Sequence, residues 1–243
     1  MAGKKKKKFW LLTRVFQIFF ILVFMACVCA AVIVYMKYGK TVLTLYASSQ
    51  KIVEQSTEKD FQSAETSLVY DAKGDLMKTL KREKDVYYLD SASIPDTVKD
   101  ALISIEDKKF YQHNGIDVKR IAGSLVANMR SNGISQGGST ITQQLVKLVY
   151  LSNERSYVRK IREAFISIGI EKKYSKDKIL EYYINNIYFG NGYYGIQAAA
   201  NGYFRKSVSS LSLSQVAFLC AIPNGPTEFD PYKNKDNTLK RRD

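Results

Sequence analysis

The pattern of apolar and polar positions begins with one long apolar run near the N-terminus. It extends from Phe9 to Met36 and is interrupted by only three polar or charged residues. About 20 apolar residues are enough to cross the hydrocarbon core of a bilayer, so the pattern predicts a transmembrane helix over residues 9–36. A cleaved signal peptide is the alternative, but its apolar region is usually about 7–15 residues long, and the end at Tyr35 is a poor cleavage site.

A block of lysines directly before this run predicts its orientation. Lys4 to Lys8 are five consecutive lysines. Because basic residues beside a transmembrane helix stay on the cytoplasmic side, residues 1–8 are predicted to form a cytoplasmic basic tail. Residues 37–243 are then expected outside the cytoplasmic membrane, behind a single membrane pass.

The segment after the anchor is predicted to contain a stalk and a small β-hairpin. Residues 37–63 are mostly polar and are typical of a helical stalk. Two short β-type runs, Thr66–Tyr70 and Leu76–Leu80, flank the turn sequence of residues 72–75, which predicts a hairpin. Residues 85–89 are predicted as a third short strand.

From Pro95 onward the periodicity becomes helical, and residues 96–222 contain no proline, which favours helices. Pro95 fits the first position of a helix ending near Phe110, and the apolar face that begins at Val118 predicts a helix ending near Asn132. Further helices are predicted at Ser156–Tyr174, Lys176–Tyr188, Gly195–Phe204 and Leu213–Ile222, with capping boxes at Thr140/Gln143 and Ser212/Gln215.

The net charge restricts the class of partner. The chain has 37 Lys and Arg against 23 Asp and Glu, a formal net charge of +14. Such a charge can indicate nucleic-acid binding. Five of the lysines lie in the predicted tail, however, and an external domain meets no genome. We therefore expect no nucleic-acid partner, and an anionic membrane surface or an anionic lipid-linked substrate instead.

The histidine and cysteine content excludes several kinds of site. A single histidine rules out a His-rich metal centre, and it rules out a Ser-His-Asp triad unless His113 is the base. Cys27 and Cys29 lie inside the predicted membrane segment, so Cys220 has no partner for an intrachain disulfide in the external domain. Cys220 is surrounded by apolar residues in the sequence and is predicted to be a small core residue.

Three segments carry the candidate chemistry, and each has an ordinary structural alternative. Glu106 is predicted one turn before a helix end, where its carboxylate projects into a cleft or is simply solvated. The Gly-rich segment 136–144 leads into a helix whose N-terminal N–H groups favour an anion, although a plain capped helix fits equally well. A third segment combines cations with a carboxylate on one helix: Arg155, Arg159, Lys160, Arg162 and Glu163. The alternative for that helix is a solvated, salt-bridged surface.

Taken together, the segments follow the motif order of a known family. The chain contains E-D-x-x-F-x-x-H-x-G-x-D from Glu106, G-G-S-T-I-T-Q-Q-L-x-K from Gly137, R-K-x-x-E from Arg159 and S-K-x-x-I-L-E-x-Y-x-N from Ser175. Over residues 64–243 it resembles the peptidoglycan glycosyltransferases of glycosyltransferase family 51, which are monofunctional transglycosylases or N-terminal domains of class A penicillin-binding proteins. The resemblance implies a mainly α, lysozyme-like domain with a small β-hairpin, preceded by one transmembrane helix.

The resemblance also implies a reaction, the polymerisation of lipid II into glycan strands with inversion and release of undecaprenyl pyrophosphate. Glu106 matches the catalytic glutamate, the general base for the acceptor hydroxyl. Glu163 matches the second glutamate, near the donor pyrophosphate, where a divalent cation such as Mg or Mn could take part; no tightly bound cofactor is expected. The positions that match substrate-binding residues are Ser139, Thr140, Gln143, Gln144, Lys147, Arg155, Arg159 and Lys160.

The expected partners follow from the same resemblance. They are lipid II, the nascent glycan strand, the membrane, and proteins of cell-wall synthesis or division. One departure from the family pattern is Leu148, which stands where Asn usually follows the lysine of Q-Q-L-x-K. The chain stops at Asp243, where relatives continue into another helix, so a fragment of a bifunctional penicillin-binding protein is an alternative. The S-x-x-K at Ser48–Lys51 has no acyl-transfer partner motif and is interpreted as coincidence.

Two other classes of protein compete with this interpretation. A glycan hydrolase would also place a glutamate in a lysozyme-like cleft, but it needs neither a basic cluster for pyrophosphate nor a lipid anchor. A non-catalytic membrane scaffold explains the anchor and the stalk. It does not explain Glu106, Glu163 and the Gly-Gly-Ser-Thr loop in family order.

Overall fold

The structure, a computed structural model, describes most of the chain and divides it into two units. The described residues are 2–62, 67–71, 73, 76–80, 85–130, 137–152, 154 and 156–243. The first unit comprises residues 1–48, and the second comprises residues 49–243. Each unit is described by itself.

The first unit consists of the greater part of helix α1, Ala2–Gln55. Within Phe16–Gln55 the helix contains a stretch with a mean hydropathy of 3.0, and the side chains of this stretch are exposed. The described part of the chain thus contains one helix that is long and apolar enough to cross a membrane, as predicted from the sequence.

The second unit begins inside the segment predicted as a stalk. Short helix α2, Glu58–Phe61, brings Phe61 into the core, where its side chain has no exposed surface. The Phe61 ring stacks on Tyr182 with 4.4 Å between the ring centroids. Lys173 fixes the preceding turn, because its ammonium donates hydrogen bonds to the carbonyl oxygens of Val53 and Ser56 at 2.9 and 2.6 Å.

The predicted β-hairpin is confirmed. Strand β1, Ser67–Tyr70, pairs antiparallel with β2, Leu76–Leu80, and the register is irregular after Val69. The third predicted strand is shorter than expected: β3 covers only Asp85–Val86. It pairs in parallel with the distant strand β4, Tyr193–Tyr194, a contact that local pattern cannot indicate.

The rest of the second unit is helical, which confirms the predicted mainly α class. The helices are α3 Asp96–Glu106, α4 Val118–Arg130, α5 Ile141–Tyr150, α6 Tyr157–Lys173, α7 Lys176–Asn186, α8 Ile196–Phe204, α9 Leu213–Ala221 and α10 Lys235–Arg242. Both predicted capping boxes are present, at the start of α5 and of α9. Helix α10 was not predicted.

Two predicted helix ends were wrong, and α3 shows why. Pro95 precedes α3 as its N-cap instead of lying inside it, and α3 ends at Glu106 rather than near Phe110. Asp107 leaves the helix with φ at −157°, because its carboxylate accepts a hydrogen bond from the backbone N–H of Ile141 at 3.0 Å. Helix α7 likewise ends at Asn186, two residues before the predicted Tyr188. The predicted end of α4 near Asn132 lies outside the described residues.

The core of the second unit is built around α7, which packs against α5, while α5 also packs against α6. From Ile179 to Asn186 every residue of α7 is buried. Helix α9 packs against α3, and Asp107, directly after α3, accepts a hydrogen bond from the Ile141 N–H at the start of α5. This arrangement fixes Glu106, at the last position of α3, relative to the first turns of α5.

Candidate active site

A large open cleft lies where α3, α4, α5 and α6 approach one another. Its volume is about 970 Å³. Eight lysine and arginine side chains line it against four carboxylates, so it is a basic cleft that suits an anionic ligand. The sequence-predicted residues that line it are Glu106, Ser139, Gln143, Gln144, Lys147, Arg159, Lys160 and Glu163.

Among the described substrate-binding candidates, Thr140 does not line the cleft. The side chain of Thr140 is fully buried. Its hydroxyl accepts a hydrogen bond from the Gln143 N–H at 3.1 Å and donates one to the carbonyl oxygen of Gly115 at 2.7 Å. Thr140 thus stabilises the start of α5 from the buried side, away from the cleft. Arg155 lies outside the described residues.

The Glu106 carboxylate is held by a chain of side-chain hydrogen bonds. Glu106 is only 7% exposed although it lies on the cleft wall. Gln144 Nε2 donates a hydrogen bond to Glu106 Oε2 at 2.8 Å, and the Tyr183 hydroxyl donates to Gln144 Oε1 at 3.0 Å. The alternative of a solvated charge at a helix end is therefore not what the structure shows.

The neighbouring Asp107 joins three segments of the site. Its Oδ2 accepts hydrogen bonds from the Ile141 N–H at 3.0 Å and from His113 Nε2 at 2.8 Å. Since the Gly115 N–H donates to His113 Nδ1 at 3.2 Å, the proton of the neutral imidazole lies on Nε2. His113 is thus a hydrogen-bonded structural residue, and Arg120 lies 3.6 Å from the other oxygen of Asp107.

Gly115 must be a glycine for this junction to form. Its φ of +92° is in the region that favours glycine, and an added Cβ would lie 2.7 Å from the backbone carbonyl of Ser167. The tight approach of the loop to α6 lets the Gly115 carbonyl reach Thr140. Hydrogen bonds therefore join the first motif, which begins at Glu106, to Thr140 and Ile141 at the start of α5.

A second buried carboxylate lies on α6, surrounded by cations. Glu163 is 2% exposed, and Arg159 Nη1 donates a hydrogen bond to its Oε2 at 2.5 Å. Lys160 Nζ contacts Glu163 Oε1 and also donates to the Ser139 hydroxyl at 2.7 Å. The sequence also allowed a solvated, salt-bridged surface at this helix. Because Glu163 is buried, the cluster is not of that kind.

The cluster bears on the expected divalent cation. Both oxygens of Glu163 are already engaged by Arg159 and Lys160. Among the residues that the structure describes, no group of three or more His, Cys, Asp or Glu side chains could hold a metal ion. The described residues thus offer no ready set of protein ligands for Mg or Mn.

The structure adds residues to the cleft that the sequence did not single out. Lys108 and Lys109 follow Glu106 and Asp107 within the first motif, so their position was the available signal. Lys119 and Arg120 come from α4, and Arg241 comes from α10, where no motif marks it. Cys220 is fully buried, and burial raises the pKa of its thiol to about 12, which leaves it protonated and unreactive near neutral pH.

Comparison with known proteins shows the family to which this chain belongs. A sequence model of the family described as "Transglycosylase" matches residues 73–243. The chain belongs to the transglycosylase family. The transglycosylase match covers all of the described cleft residues, and the family resemblance is confirmed.

Relatives of this transglycosylase chain are penicillin-binding proteins. It is 40% identical over 206 residues to penicillin-binding protein 4 of Bacillus subtilis, covering 84% of this chain and 33% of the relative. It is 46% identical over 150 residues to penicillin-binding protein 1F of the same organism, covering 62% and 21%. It is 44% identical over 178 residues to penicillin-binding protein 1A of Aquifex aeolicus, covering 73% and 24%.

The matches cover only part of each relative. The chain spans about a fifth to a third of the length of these curated relatives. Its transglycosylase domain identifies it as a glycosyl-transferring enzyme. The apolar N-terminal helix fits attachment to a membrane.

Proposed function

We propose that this chain polymerises lipid II into β-1,4-linked glycan strands and releases undecaprenyl pyrophosphate. The observation that carries the proposal is the pairing of a shielded carboxylate, Glu106, with a basic cleft that contains the Arg159, Lys160 and Glu163 cluster. A carboxylate is suited to take a proton from a sugar hydroxyl, and the cations are suited to a pyrophosphate leaving group.

In the proposed reaction, Glu106 is the general base. It accepts the proton of the 4-hydroxyl of the acceptor GlcNAc, and the hydroxyl oxygen forms a bond to C1 of the donor MurNAc. The bond between C1 and the pyrophosphate oxygen breaks, and its electron pair leaves with the pyrophosphate. Attack from the face opposite the leaving group inverts the configuration at C1.

The proposed reaction also requires that the negative charge on the departing pyrophosphate be stabilised. Lys147 and Arg159 line the cleft, and Lys160 reaches it between Ser139 and Glu163. Donors placed in advance where negative charge develops stabilise a transition state without later reorganisation. In this proposal Glu163 orients Arg159 and Lys160 instead of touching the reacting atoms. Gln143 and Ser139 line the donor side of the cleft.

The proposal extends to location and partners. We place residues 1–8 in the cytoplasm, one pass through the cytoplasmic membrane in α1, and the cleft outside, where lipid II and the growing strand are its partners. Proteins of cell-wall synthesis or division are further partners. The penicillin-binding relatives support the view that this domain works within a bifunctional enzyme.

Product analysis tests the reaction. Purified chain in detergent is incubated with lipid II, and glycan products and lipid pyrophosphate are measured by gel electrophoresis and mass spectrometry. We expect the amounts of polymer and lipid pyrophosphate to rise together, with one lipid pyrophosphate released for each new glycosidic linkage. Shortening of preformed glycan strands without use of lipid II would instead support a glycan hydrolase.

A further inference from the structure

Behind the cleft, a tyrosine, a glutamine and a glutamate form one hydrogen-bonded line. The Tyr183 hydroxyl lies 3.0 Å from Gln144 Oε1, and Gln144 Nε2 lies 2.8 Å from Glu106 Oε2. We propose that Tyr183 is a positioning residue that acts through Gln144 to hold the Glu106 carboxylate for proton transfer. This inference rests on the proposed function of Glu106 as the base.

Tyr183 has no access to a substrate. Its side chain is fully buried on α7, and it is not among the residues that line the cleft. Gln144, by contrast, lines the cleft from α5, and α5 and α7 pack against each other. Any effect of the Tyr183 hydroxyl on the reaction must therefore pass through Gln144.

The line of hydrogen bonds has a fixed direction. Burial, and to a smaller extent the nearby Glu106 carboxylate, raise the pKa of Tyr183 well above its usual value of 10.0, so its hydroxyl keeps its proton. With that proton donated to Gln144 Oε1, the amide NH₂ of Gln144 faces Glu106. A flipped amide would place Gln144 Oε1 against the carboxylate, two acceptors in contact.

The fixed direction has two consequences for Glu106. The amide N–H that faces Glu106 holds the carboxylate in one orientation on the cleft wall. It also engages only Oε2, whereas Oε1 has no hydrogen-bond partner in the part of the chain that the structure describes. Oε1 is thus the oxygen left to receive the acceptor proton, and the amide prevents rotation of the carboxylate away from the cleft.

The experiment compares hydroxyl removal at two neighbouring buried tyrosines. Tyr183→Phe keeps the ring that fills the core but removes the donor to Gln144. The matched control is Tyr182→Phe on the same helix: Tyr182 is also buried, and its hydroxyl has no hydrogen-bond partner among the described residues. Lipid II polymerisation is measured for both variants as kcat and KM, with melting temperature and circular dichroism as folding checks.

We expect Tyr183→Phe to lower kcat about 3- to 10-fold, the effect of one hydrogen bond, with KM for lipid II unchanged. Tyr182→Phe should leave both constants at the wild-type values. In a Gln144→Ala background, Tyr183→Phe should have no further effect on kcat, because the residue through which it acts is gone.

Several results would overturn the inference. These are an unchanged kcat in Tyr183→Phe, an equal loss in Tyr182→Phe, a change confined to KM, an additive loss in the Gln144→Ala background, or failure of Tyr183→Phe to fold. If the wild type polymerises lipid II, none of these results contradicts the proposed function. Absence of polymerisation by the wild type would reject both the proposed function and this inference.

Discussion

At the scale of single residues, two of the carboxylates that line the cleft, Glu106 and Glu163, are largely buried and are held by other side chains. Glu106 is held by Gln144, and Glu163 is held by Arg159 and Lys160. Removal of one partner of a buried ion pair leaves an uncompensated charge, which costs more than loss of an exposed pair. The residues around these carboxylates are therefore the most informative positions for substitution.

Substitution of Arg159 tests the basic side of the cleft. Charge-assisted hydrogen bonds contribute about 1.5–3 kcal/mol, so Arg159→Ala should weaken binding of a phosphate-bearing donor analogue by about 10- to 150-fold. Arg159→Lys should restore only part of the affinity, because lysine lacks the planar fork of arginine. Isothermal titration calorimetry with the analogue and with a neutral disaccharide measures both effects.

The matched control for this test is Lys172→Ala, which removes an exposed cation at the other end of the same helix. It should leave the affinity for the analogue unchanged, and binding of the neutral disaccharide should be the same in all variants. Equal affinity of the wild type and Arg159→Ala for the phosphate-bearing analogue would contradict the assignment of Arg159 to pyrophosphate.

At the scale of elements, the features that depend on neighbouring residues could be predicted. The capping box of Thr140 and Gln143 is encoded within four residues, and the structure contains both of its hydrogen bonds. The hairpin of β1 and β2 is encoded by two β-type runs and a turn, and it was predicted correctly as well. The change to helical periodicity after Pro95 predicted α6 to α9, and α5 was predicted from its capping box and the Gly-rich segment that leads into it.

Features that depend on distant contacts could not be predicted. The early end of α3 follows from a hydrogen bond between Asp107 and Ile141, and the pairing of β3 with β4 joins segments more than 100 residues apart. Phe61 lies in a polar segment, and only its contacts with the core reveal its role. For the same reason Tyr183 and Gln144 could each be placed in a sequence motif, but the hydrogen bond between them could not be predicted.

The start of α4 gives a prediction about pH. The Asp117 carboxylate accepts a hydrogen bond from the Arg120 N–H at 2.9 Å, and this bond, against the opposing effect of burial, holds the pKa of Asp117 below its usual 3.8. A depressed pKa stabilises the fold above the unfolded value, and the contribution disappears as the pH falls through the folded value. Asp117→Ala should thus lower the free energy of unfolding by about 0.5–2 kcal/mol at pH 7.

The difference between the wild type and Asp117→Ala should shrink as the pH falls below about 3.8. Asp117→Asn is the control, since asparagine also caps helices but carries no charge, and its stability should lack this contribution to the pH dependence. Urea unfolding of the full chain in detergent, followed by circular dichroism at several pH values, measures all three. A gap between the wild type and Asp117→Ala that stays constant down to pH 2 would contradict the role of the charge.

At the scale of the whole molecule, the charge distribution and the apolar helix predict where the cleft faces. The lysines at Lys4–Lys8 precede the apolar stretch of α1, and the domain that follows carries the basic cleft. Alkaline phosphatase fused after Asp243 should be active in cells, because that enzyme is active only outside the cytoplasm. A fusion at the same point to a reporter active only in the cytoplasm should be silent, and the reverse pair of results would contradict the proposed topology.

The central claim is that Glu106 transfers a proton in the polymerisation of lipid II, and its isosteric substitution tests this claim most directly. Glu106→Gln keeps the shape of the side chain and can still accept a hydrogen bond from Gln144, but it cannot act as a base. General-base catalysis contributes about 10²–10⁴-fold, so the rate of polymer formation should fall by that factor. The control Glu228→Gln, at an exposed position that does not line the cleft, should polymerise at the wild-type rate. A folded Glu106→Gln protein that polymerises lipid II at close to the wild-type rate would contradict the account.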